Sequence, residues 1–326
     1  LHYPLRRQRQ MCIRDSSQTV PNLPLFESFT SSTCPPCYSF NTGVFTPFLN
    51  EHQGQYAIIK YQMNWPGSGD PYYTTEGGAR RIYYGVNAVP QLFTGGEPTA
   101  TSLTGVTNAL ESELSKESVF AIDAFAYMDG TTVNADIEIM PYASASDLTL
   151  RVAVVERETT ENATSNGETS FKYVMMKMLP DAAGTAVNFE AEQPTTISFS
   201  HDMKNTFVEE FSDLILVAFI QNDDTHEILQ SSMINIYDAS IVSFDFLNAS
   251  VVDVVFDDVE NSEGEVTILV EYGTDVTYLT PSITVSPGAT ISPAPDENNE
   301  YQPMDFSGPV TFVVTSAENI ITNTFT

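Results

Sequence analysis

The chain of 326 residues is long enough for two or three domains, each with its own hydrophobic core. Its 43 acidic side chains outnumber the 13 Lys and Arg, the formal net charge is −30, and no Lys or Arg follows Lys204. Such a surface repels nucleic acids and anionic membranes, which disfavours both as partners. Solvated acidity in a salty or extracellular setting explains the excess more simply than a specific cation-binding role does.

The first sixteen residues differ from the rest of the sequence. They hold four of the 13 basic side chains, and they contain no apolar run of the length that a signal peptide requires. We interpret residues 1–16, including Cys12, as a non-native leader from the edge of an assembled gene fragment. The first domain is therefore expected to begin at residue 17, and export has to be inferred from the family resemblance given below.

A pair of cysteines follows the first apolar strand of the chain. The strand ends at Phe29, a short polar loop follows, and Cys34-Pro35-Pro36-Cys37 leads into a helical pattern of apolar residues. Proline is tolerated in a first helical turn, where its missing N–H is no loss. At that position the free N–H groups and the helix dipole stabilise a thiolate, so Cys34 is expected to be a better nucleophile than a free cysteine. A Cys-X-X-Cys pair in this setting is typical of redox proteins.

Three further elements complete this part of the chain. Residues 56–63 are apolar at successive positions, which predicts a central strand covered on both faces. Residues 64–78 form a long loop that contains Trp65, the single tryptophan, and is either a substrate lip beside the cysteines or a packed insertion. After a turn at Gly95-Gly96, apolar residues at helical spacing predict a closing helix that ends near Glu117.

Strand, Cys-Pro-Pro-Cys, helix, buried strand and Val89-Pro90, in this order, resemble a thioredoxin fold. The run Asn64-Trp-Pro-Gly-Ser-Gly-Asp-Pro-Tyr-Tyr, with Arg80-Arg81-Ile-Tyr-Tyr-Gly-Val-Asn, resembles the thioredoxin-like, outer-membrane-protein-related secreted proteins of Bacteroidetes. The resemblance covers residues 22–118 well and 119–240 more loosely. It implies an α/β thioredoxin-like domain over residues 17–118, an extracytoplasmic location, and attachment at the outer membrane or cell surface.

The resemblance also implies a site. In that family a cis-proline packs against the cysteines, so the Val89-Pro90 bond is expected to be cis, with Pro90 against Cys34 and Cys37. These three residues are then catalytic. The expected binding residues beside them are Pro35, Pro36, Val89 and Trp65. The implied substrates are protein thiols or disulfides, with an unidentified reducing partner and no cofactor.

One position departs from the family pattern. Many thioredoxins have a buried acid six residues before the first cysteine, and here that position is Ser28. Glu27 replaces it only if the strand register shifts by one residue, which turns its side chain to the other face. Lys60 occupies a position where the family often has a lysine near that acid. Efficient reductase activity is therefore in doubt.

The rest of the chain is predicted to be β. Alternating apolar residues and an Asp129-Gly130 hairpin signal predict a β-sandwich over residues 119–240, interrupted by a helical or irregular piece around 171–179. A second all-β segment, residues 241–326, resembles the small immunoglobulin-like modules of Bacteroidetes surface proteins. Because Thr326 falls within a strand pattern, we expect this module to be truncated at its C-terminus.

Metal binding receives little support from the sequence. A tetrahedral zinc site needs four ligands, and no second Cys pair exists. Three neighbouring methionines, Met175, Met176 and Met178, are better explained as flexible side chains that fill the hydrophobic core than as ligands of a soft metal ion. The acidic groups at Asp223-Asp224 and at residues 257–260 lack the EF-hand spacing, which leaves calcium binding open.

Two hypotheses of function remain. The first is a secreted or surface-attached thiol-disulfide oxidoreductase, in which Cys34 attacks a substrate disulfide and Cys37 resolves the mixed intermediate. Two prolines between the cysteines remove backbone donors, so a mild redox poise is expected. The second is a non-enzymatic surface or adhesion protein that keeps the fold as a scaffold with an inert disulfide. Fold alone does not choose between them.

Overall fold

The structure is a computed structural model and describes residues 18–256, 259, 262–319 and 321–326. The predicted non-native leader, residues 1–16, lies outside the described residues, as do Asp257, Asp258 and Glu260. The described residues form two compact units. Residues 18–126 with Ala135–Asn235 form the Cys-pair unit, and Tyr127–Asn134 with Ile236–Thr326 form the C-terminal unit.

The α-helices of the described residues lie in the Cys-pair unit. They are α1 (Pro35–Phe40), α2 (Thr46–Glu51), α3 (Thr75–Tyr83) and α4 (Leu103–Leu114), and a π-helical segment, Asn41–Phe45, joins the first two. The Ser102 hydroxyl caps α4 by accepting the N–H of Gly105 (3.2 Å). The predicted closing helix is thereby confirmed. Among the described residues, no helix has the length and apolar character needed to cross a membrane.

Strands make up most of the regular structure. Up to residue 235 they are β1 (Val20–Pro21), β2 (Leu25–Thr30), β3 (Ala57–Gln62), β4 (Gln91–Thr94), β5 (Glu97–Thr99), β6 (Glu117–Ser118), β7 (Phe120–Asp129), β8 (Thr132–Pro141), β9 (Ala145–Thr159), β10 (Phe171–Leu179), β11 (Thr185–Phe189), β12 (Thr195–Asp202), β13 (Leu214–Asn222) and β14 (Ile228–Asn235). Later strands are β15 (Ile241–Phe246), β16 (Val251–Phe256), β17 (Glu263–Gly264), β18 (Val266–Val270), β19 (Pro281–Val285), β20 (Thr290–Ser292), β21 (Phe312–Thr315) and β22 (Thr322–Phe325).

A single large sheet forms the centre of the Cys-pair unit. Its strand order is β14-β13-β9-β10-β3-β2-β4-β5, and β11 pairs with β9. Strands β2 and β3 are parallel, with Leu25 opposite Ala57, and every residue of both strands is buried. The predicted central strand covered on both faces is thus confirmed. One face of β2 packs Phe26 against helix residues such as Phe40, and the other packs Phe29 against Tyr84.

The predicted fold class, an α/β thioredoxin-like domain followed by two all-β sandwich (immunoglobulin-like) domains, is wrong. The chain is mostly β-strand in several sheets, and β2 to β5 share one sheet with β9, β10, β13 and β14. Strand β13 and the middle of β9 are buried at consecutive positions. This pattern is typical of interior strands covered on both faces, whereas a half-exposed sandwich strand alternates between apolar and polar residues.

The error in the fold class arises at β10. Residues 171–179, predicted to be helical or irregular, form the strand that connects the two halves of the large sheet. Val174 pairs in parallel with Lys60 of β3, while Met175 pairs antiparallel with Val155 of β9. Apolar residues follow one another in β10 without a clear period, and methionine is a good helix former. The strand could therefore be recognised only from its partners.

Two short-range predictions are confirmed. A turn at Asp129-Gly130 joins β7 to β8, and Gly130 has a φ of 56°, in the left-handed region that suits glycine. Gly95 and Gly96 connect β4 to β5 with φ values of 60° and 91°. A Cβ at Gly96 would lie 1.9 Å from the carbonyl oxygen of His226, so this turn requires glycine for space as well as for conformation.

The C-terminal unit is built from short antiparallel pairs. Strand β15 pairs with β19, β16 pairs with β18, and β20, β21 and β22 form a sheet to which β17 adds in parallel. Its core is aromatic and includes Phe244, Phe246, Tyr301 and Phe312. The described surface of the unit also exposes several large apolar side chains.

Candidate functional site

The two cysteines begin helix α1 and are joined by a disulfide. Cys34 is the N-cap residue, and its Sγ accepts the backbone N–H of Cys37 at 3.1 Å. Their Cα atoms are 5.2 Å apart. The exposed fractions are 1% for Cys34 and 0% for Cys37, so the disulfide is closed to solvent in this conformation.

The structure brings most of the predicted site residues together. The Val89-Pro90 peptide bond is cis, as predicted, and the carbonyl oxygen of Val89 lies 3.5 Å from Sγ of Cys34. An open groove beside the pair is lined by Pro35, Pro36, Ser39, Phe40, Val44, Pro90 and Thr101. The ring of Trp65 instead packs against the Arg81 guanidinium, whose carbon lies 4.4 Å from the ring centre.

Asp70, which sequence reasoning missed, ties the long loop of residues 64–74 to the loop before Cys34. Its Oδ2 accepts the N–H of Ser32 (2.8 Å), and its Oδ1 accepts the N–H of Tyr72 (2.9 Å) and the side-chain amide of Asn162 (3.3 Å). Burial raises the pKa of Asp70, although these hydrogen bonds oppose the rise. The loop is therefore fastened beside the cysteines.

A second segment, residues 160–168, covers the same loop. The N–H groups of Ser165 (3.2 Å) and Asn166 (2.9 Å) donate to the carbonyl oxygen of Ser32, and the Thr164 hydroxyl donates to the Ser32 hydroxyl (2.9 Å). No short-range signal in the sequence indicates this contact, because it joins residues more than a hundred positions apart. The two fastened segments help to explain why the disulfide is buried.

A buried polar cluster lies one turn along from Cys37. The side-chain amide of Asn41 donates to the Thr30 hydroxyl (3.1 Å) and to both carboxylate oxygens of Glu168 (3.2 Å each). Burial raises the pKa of Glu168, and burial lowers the pKa of Lys60 to about 8 while the Glu168 charge opposes that change. Among the described residues, the buried hydroxyl of Ser28 has no hydrogen-bond partner.

Glu27 does not replace the acid absent at position 28. Its carboxylate lies on the opposite face of β2 and accepts hydrogen bonds from Arg80 (2.8 and 3.0 Å from Nη2), Tyr61 (2.7 Å) and Tyr84 (2.5 Å). Burial, the largest single influence, lowers the pKa of Arg80, but the interactions with Glu27, Tyr61 and Tyr84 together outweigh it and raise that pKa. Glu27 thus forms a buried ion pair with Arg80.

Metal ligands do not assemble in the described part of the chain. No three His, Cys, Asp or Glu side chains come together there as a possible metal site. Asp223 binds Arg151 (2.8 Å) and accepts hydrogen bonds from Thr149 (2.7 Å) and Tyr83 (2.9 Å). The three methionines at 175, 176 and 178 are buried, which confirms their prediction as core residues.

Glu156 on β9 is a buried carboxyl group whose pKa differs from its ordinary value. It is buried, and its carboxylate accepts the N–H groups of Glu209 (3.1 Å) and Glu210 (2.7 Å). Burial is the main reason that the pKa of Glu156 rises to about 8. The hydrogen bonds from the backbone N–H groups of Glu209 and Glu210 oppose this rise, whereas the charges of Glu209 and Asp213 add to it.

We expect the Cys-pair unit to lose stability as pH rises between 4.5, the ordinary pKa of this carboxyl group, and about 8. In that window the folded state keeps a proton that the unfolded chain releases. Glu156→Gln keeps an acceptor oxygen for the amides and should flatten this slope. Urea unfolding followed by Trp65 fluorescence at several pH values measures it. Identical pH slopes for the two proteins would contradict the assignment.

Two exposed tyrosines lie in the segment that joins β18 to β19. The side chain of Tyr272 is fully exposed (108%) and that of Tyr278 is 65% exposed. The turn of residues 247–250 is hydrogen-bonded to the segment that holds both tyrosines. The N–H of Glu271 donates to the carbonyl oxygen of Ser250 (3.3 Å), and the side-chain amide of Asn248 donates to the carbonyl oxygen of Tyr278 (2.8 Å). We call Tyr272, Tyr278 and the exposed Leu247 the aromatic patch.

Comparison with family models relates one part of the chain to a known family. Residues 241–326 match the family model described as SGBP, N-terminal, the N-terminal domain of surface glycan-binding proteins. No curated protein sequence matches the chain. The match covers the C-terminal segment and leaves the Cys-pair unit unassigned.

Among solved structures, the fold is similar to that of HBP35 of Porphyromonas gingivalis. The identity is 14%, the match covers 94% of this chain and 97% of that one, and the TM-score is 0.56. A protein from Agrobacterium tumefaciens matches at 17% identity over 65% of this chain and 93% of its own, with a TM-score of 0.46. A domain of the outer membrane lipoprotein Omp28 from Porphyromonas gingivalis matches at 14% identity, with coverages of 38% and 92% and a TM-score of 0.28.

Proposed function

We propose that this chain is a non-enzymatic surface protein outside the cytoplasm, attached at the outer membrane or cell surface, that binds glycans through its C-terminal unit. The observation that carries the proposal is the aromatic patch, because it lies in the segment that matches the surface glycan-binding family. The apolar face of a sugar ring packs on an exposed aromatic ring, while the phenolic hydroxyl stays in water.

The charge of the unit narrows the class of glycan. The C-terminal unit contains no Lys or Arg, and Glu271 and Asp275 lie close in sequence to the two tyrosines. A carboxylated or sulfated polysaccharide would be repelled by this surface. We therefore propose neutral or amino-substituted glycans as ligands, with the acidic side chains available to accept hydrogen bonds from sugar hydroxyls.

The test is binding of soluble polysaccharides by affinity electrophoresis and calorimetry. Tyr272→Ala and Tyr278→Ala are each expected to weaken binding by at least about fivefold, since a stacked ring is worth about 1 kcal/mol beyond its buried area. Leu269→Thr is the matched control, because it removes an exposed apolar side chain from the same unit without removing a ring. Unchanged binding in the double tyrosine variant, or preferential binding of polygalacturonate, would contradict the proposal.

A second candidate function is thiol-disulfide exchange at the Cys pair, favoured by the N-cap position of Cys34. The N–H of Cys37 that points at its sulfur would stabilise a thiolate after reduction. In this candidate function Cys34 attacks and Cys37 resolves, with Pro35, Pro36, Val89 and Pro90 beside the substrate chain and Trp65 on the lip. The substrates are protein thiols or disulfides, and a reducing partner restores the pair.

Trapping of mixed disulfides separates the two candidate functions. A structural disulfide that closes so short a loop should stabilise the folded state by about 2 kcal/mol, and an oxidoreductase of mild redox poise shares that stability, so unfolding of the two redox forms does not distinguish them. We expect a Cys37→Ser variant to accumulate no mixed disulfides through Cys34. Accumulation in that variant, with none in Cys34→Ser, would favour the second function instead.

A further inference from the structure

The pair of strands β16 and β18 exposes apolar side chains that the core does not use. The two strands are antiparallel, and in the described part of the chain neither pairs with another strand. Val254 and Ile268 lie opposite each other and pack against the core of the C-terminal unit. Three other side chains remain exposed: Val252 (59%), Val255 (46%) and Leu269 (56%). We call Val252, Val255 and Leu269 the apolar face.

The strand register places these side chains away from the core. Leu269 lies opposite Asp253, and Val255 lies opposite Thr267. Because side chains alternate along a strand, these positions point to the side that the core does not cover. The register shifts by one residue just before Asp253, which leaves Val252 as an extra, exposed residue beside it. Polar residues are expected on such a side, so packing within this unit does not explain the apolar ones.

Carboxylates surround the apolar face. Glu265 directly precedes β18, Glu271 directly follows it, and both are exposed, as is Asp253 on β16. Residues 241–326 contain 14 Asp and Glu side chains and no Lys or Arg. No basic side chain within that segment therefore neutralises this charge. An apolar centre with a polar, solvent-accessible rim is the arrangement found at protein–protein interfaces.

The charge selects among the possible occupants of this face. A second copy of the chain would bring the same negative rim, and like charges across an interface disfavour a complex. An anionic membrane is repelled for the same reason. A neutral glycan has no positive charge to match the carboxylates. A protein segment with apolar side chains between Lys or Arg satisfies both features, since it covers the apolar side chains and pairs with the carboxylates.

We propose that the apolar face and its carboxylate rim bind a protein segment in which Lys or Arg alternates with apolar side chains. This site uses other residues than the aromatic patch and does not depend on glycan binding. Three partly exposed side chains make a small interface, which is typical of weak, transient complexes. Because its charges are exposed to solvent, the affinity should fall as the salt concentration rises.

The experiment is a titration of the full chain with a short synthetic peptide in which Lys alternates with Val, followed by ¹³C-methyl NMR. We expect saturable shifts at the methyl groups of Val255 and Leu269. Two control peptides, one with Glu in place of Lys and one with Ser in place of Val, should bind far more weakly. Equal binding of the Ser peptide would mean that charge alone attracts the ligand, and equal binding of the Glu peptide would remove the role of charge. Either result would overturn the proposal.

Val255→Thr combined with Leu269→Thr should weaken binding of the Lys-Val peptide at least about tenfold, because less hydrocarbon is covered in the complex. Threonine is common in strands, so the substitutions suit β16 and β18. Ile82→Thr removes an exposed apolar side chain from the Cys-pair unit and should leave the affinity unchanged.

Equal affinity of the double variant and the parent protein would overturn the proposal. If the double variant fails to fold, the methyl shifts of the parent protein decide, and peptide-induced shifts that leave Val255 and Leu269 unaffected would overturn it. Shifts at these methyl groups that depend on protein concentration without any peptide would assign the face to self-association and would also overturn it.

Discussion

Arg80→Met is expected to destabilise the Cys-pair unit by about 3–5 kcal/mol, because it leaves the buried charge of Glu27 without its partner. The exposed fractions are 1% for Arg80 and 0% for Glu27. The guanidinium also donates to Gln221 (3.0 Å), so three elements distant in sequence meet at this side chain. Urea unfolding followed by the fluorescence of Trp65, which lies in the same unit, measures the loss.

The control for this prediction is a second substitution at Glu27. Glu27→Gln with Arg80→Met removes both charges and keeps an acceptor for the hydroxyls of Tyr61 and Tyr84. We expect the double variant to be more stable than Arg80→Met alone, because an unpaired buried charge costs more than a missing pair. A double variant that loses as much as the sum of the two single variants would show that the ion pair is not the source of the effect.

Asp70→Ala is expected to cost about 2–6 kcal/mol and to make the disulfide accessible. The substitution leaves the N–H groups of Ser32 and Tyr72 without their acceptor, and each unsatisfied buried donor costs about 1–3 kcal/mol. It also releases the loop of residues 64–74 from the chain that leads to Cys34. Dithiothreitol should therefore reduce the disulfide faster in the variant than in the parent protein.

Two variants serve as controls for Asp70. Asp70→Asn keeps one acceptor oxygen and should lose less stability. Asp181→Ala removes a carboxylate that accepts a single N–H, that of Ala183 (2.8 Å), at an exposed position, and should change stability by less than about 1 kcal/mol. Equal reduction rates for Asp70→Ala and the parent protein would mean that the loop does not control access to the cysteines.

Local patterns predicted the elements around the Cys pair. The strand, the helix start at Pro35, the buried strand β3 and the glycine turn each depend on neighbouring residues, and all are present. The cis bond before Pro90 followed from the family resemblance and is also present. What these patterns do not contain is the identity of the strands that lie beside β3, since pairing is decided by contacts between distant segments.

The remaining features of the site depend on long-range contacts. Residues 160–168 fall within the predicted β-sandwich of residues 119–240, yet they cover the chain before Cys34. Asp70 and Glu168 could not be recognised as site residues from the sequence, because their hydrogen-bond partners, Ser32 and Asn41, lie far away in sequence. In the C-terminal unit, a tyrosine in a strand-rich segment predicts a half-buried residue, so the exposure of Tyr272 could not be read from the sequence.

The measurement that tests the central claim most directly compares glycan binding by the parent protein and by a Cys34→Ala/Cys37→Ala variant, with an insulin disulfide reduction assay on the same preparations. Our account predicts equal glycan affinity for the two proteins and no disulfide turnover by the parent. Multiple turnovers of disulfide reduction by the parent protein, combined with no binding to any neutral glycan, would contradict a non-enzymatic glycan-binding function.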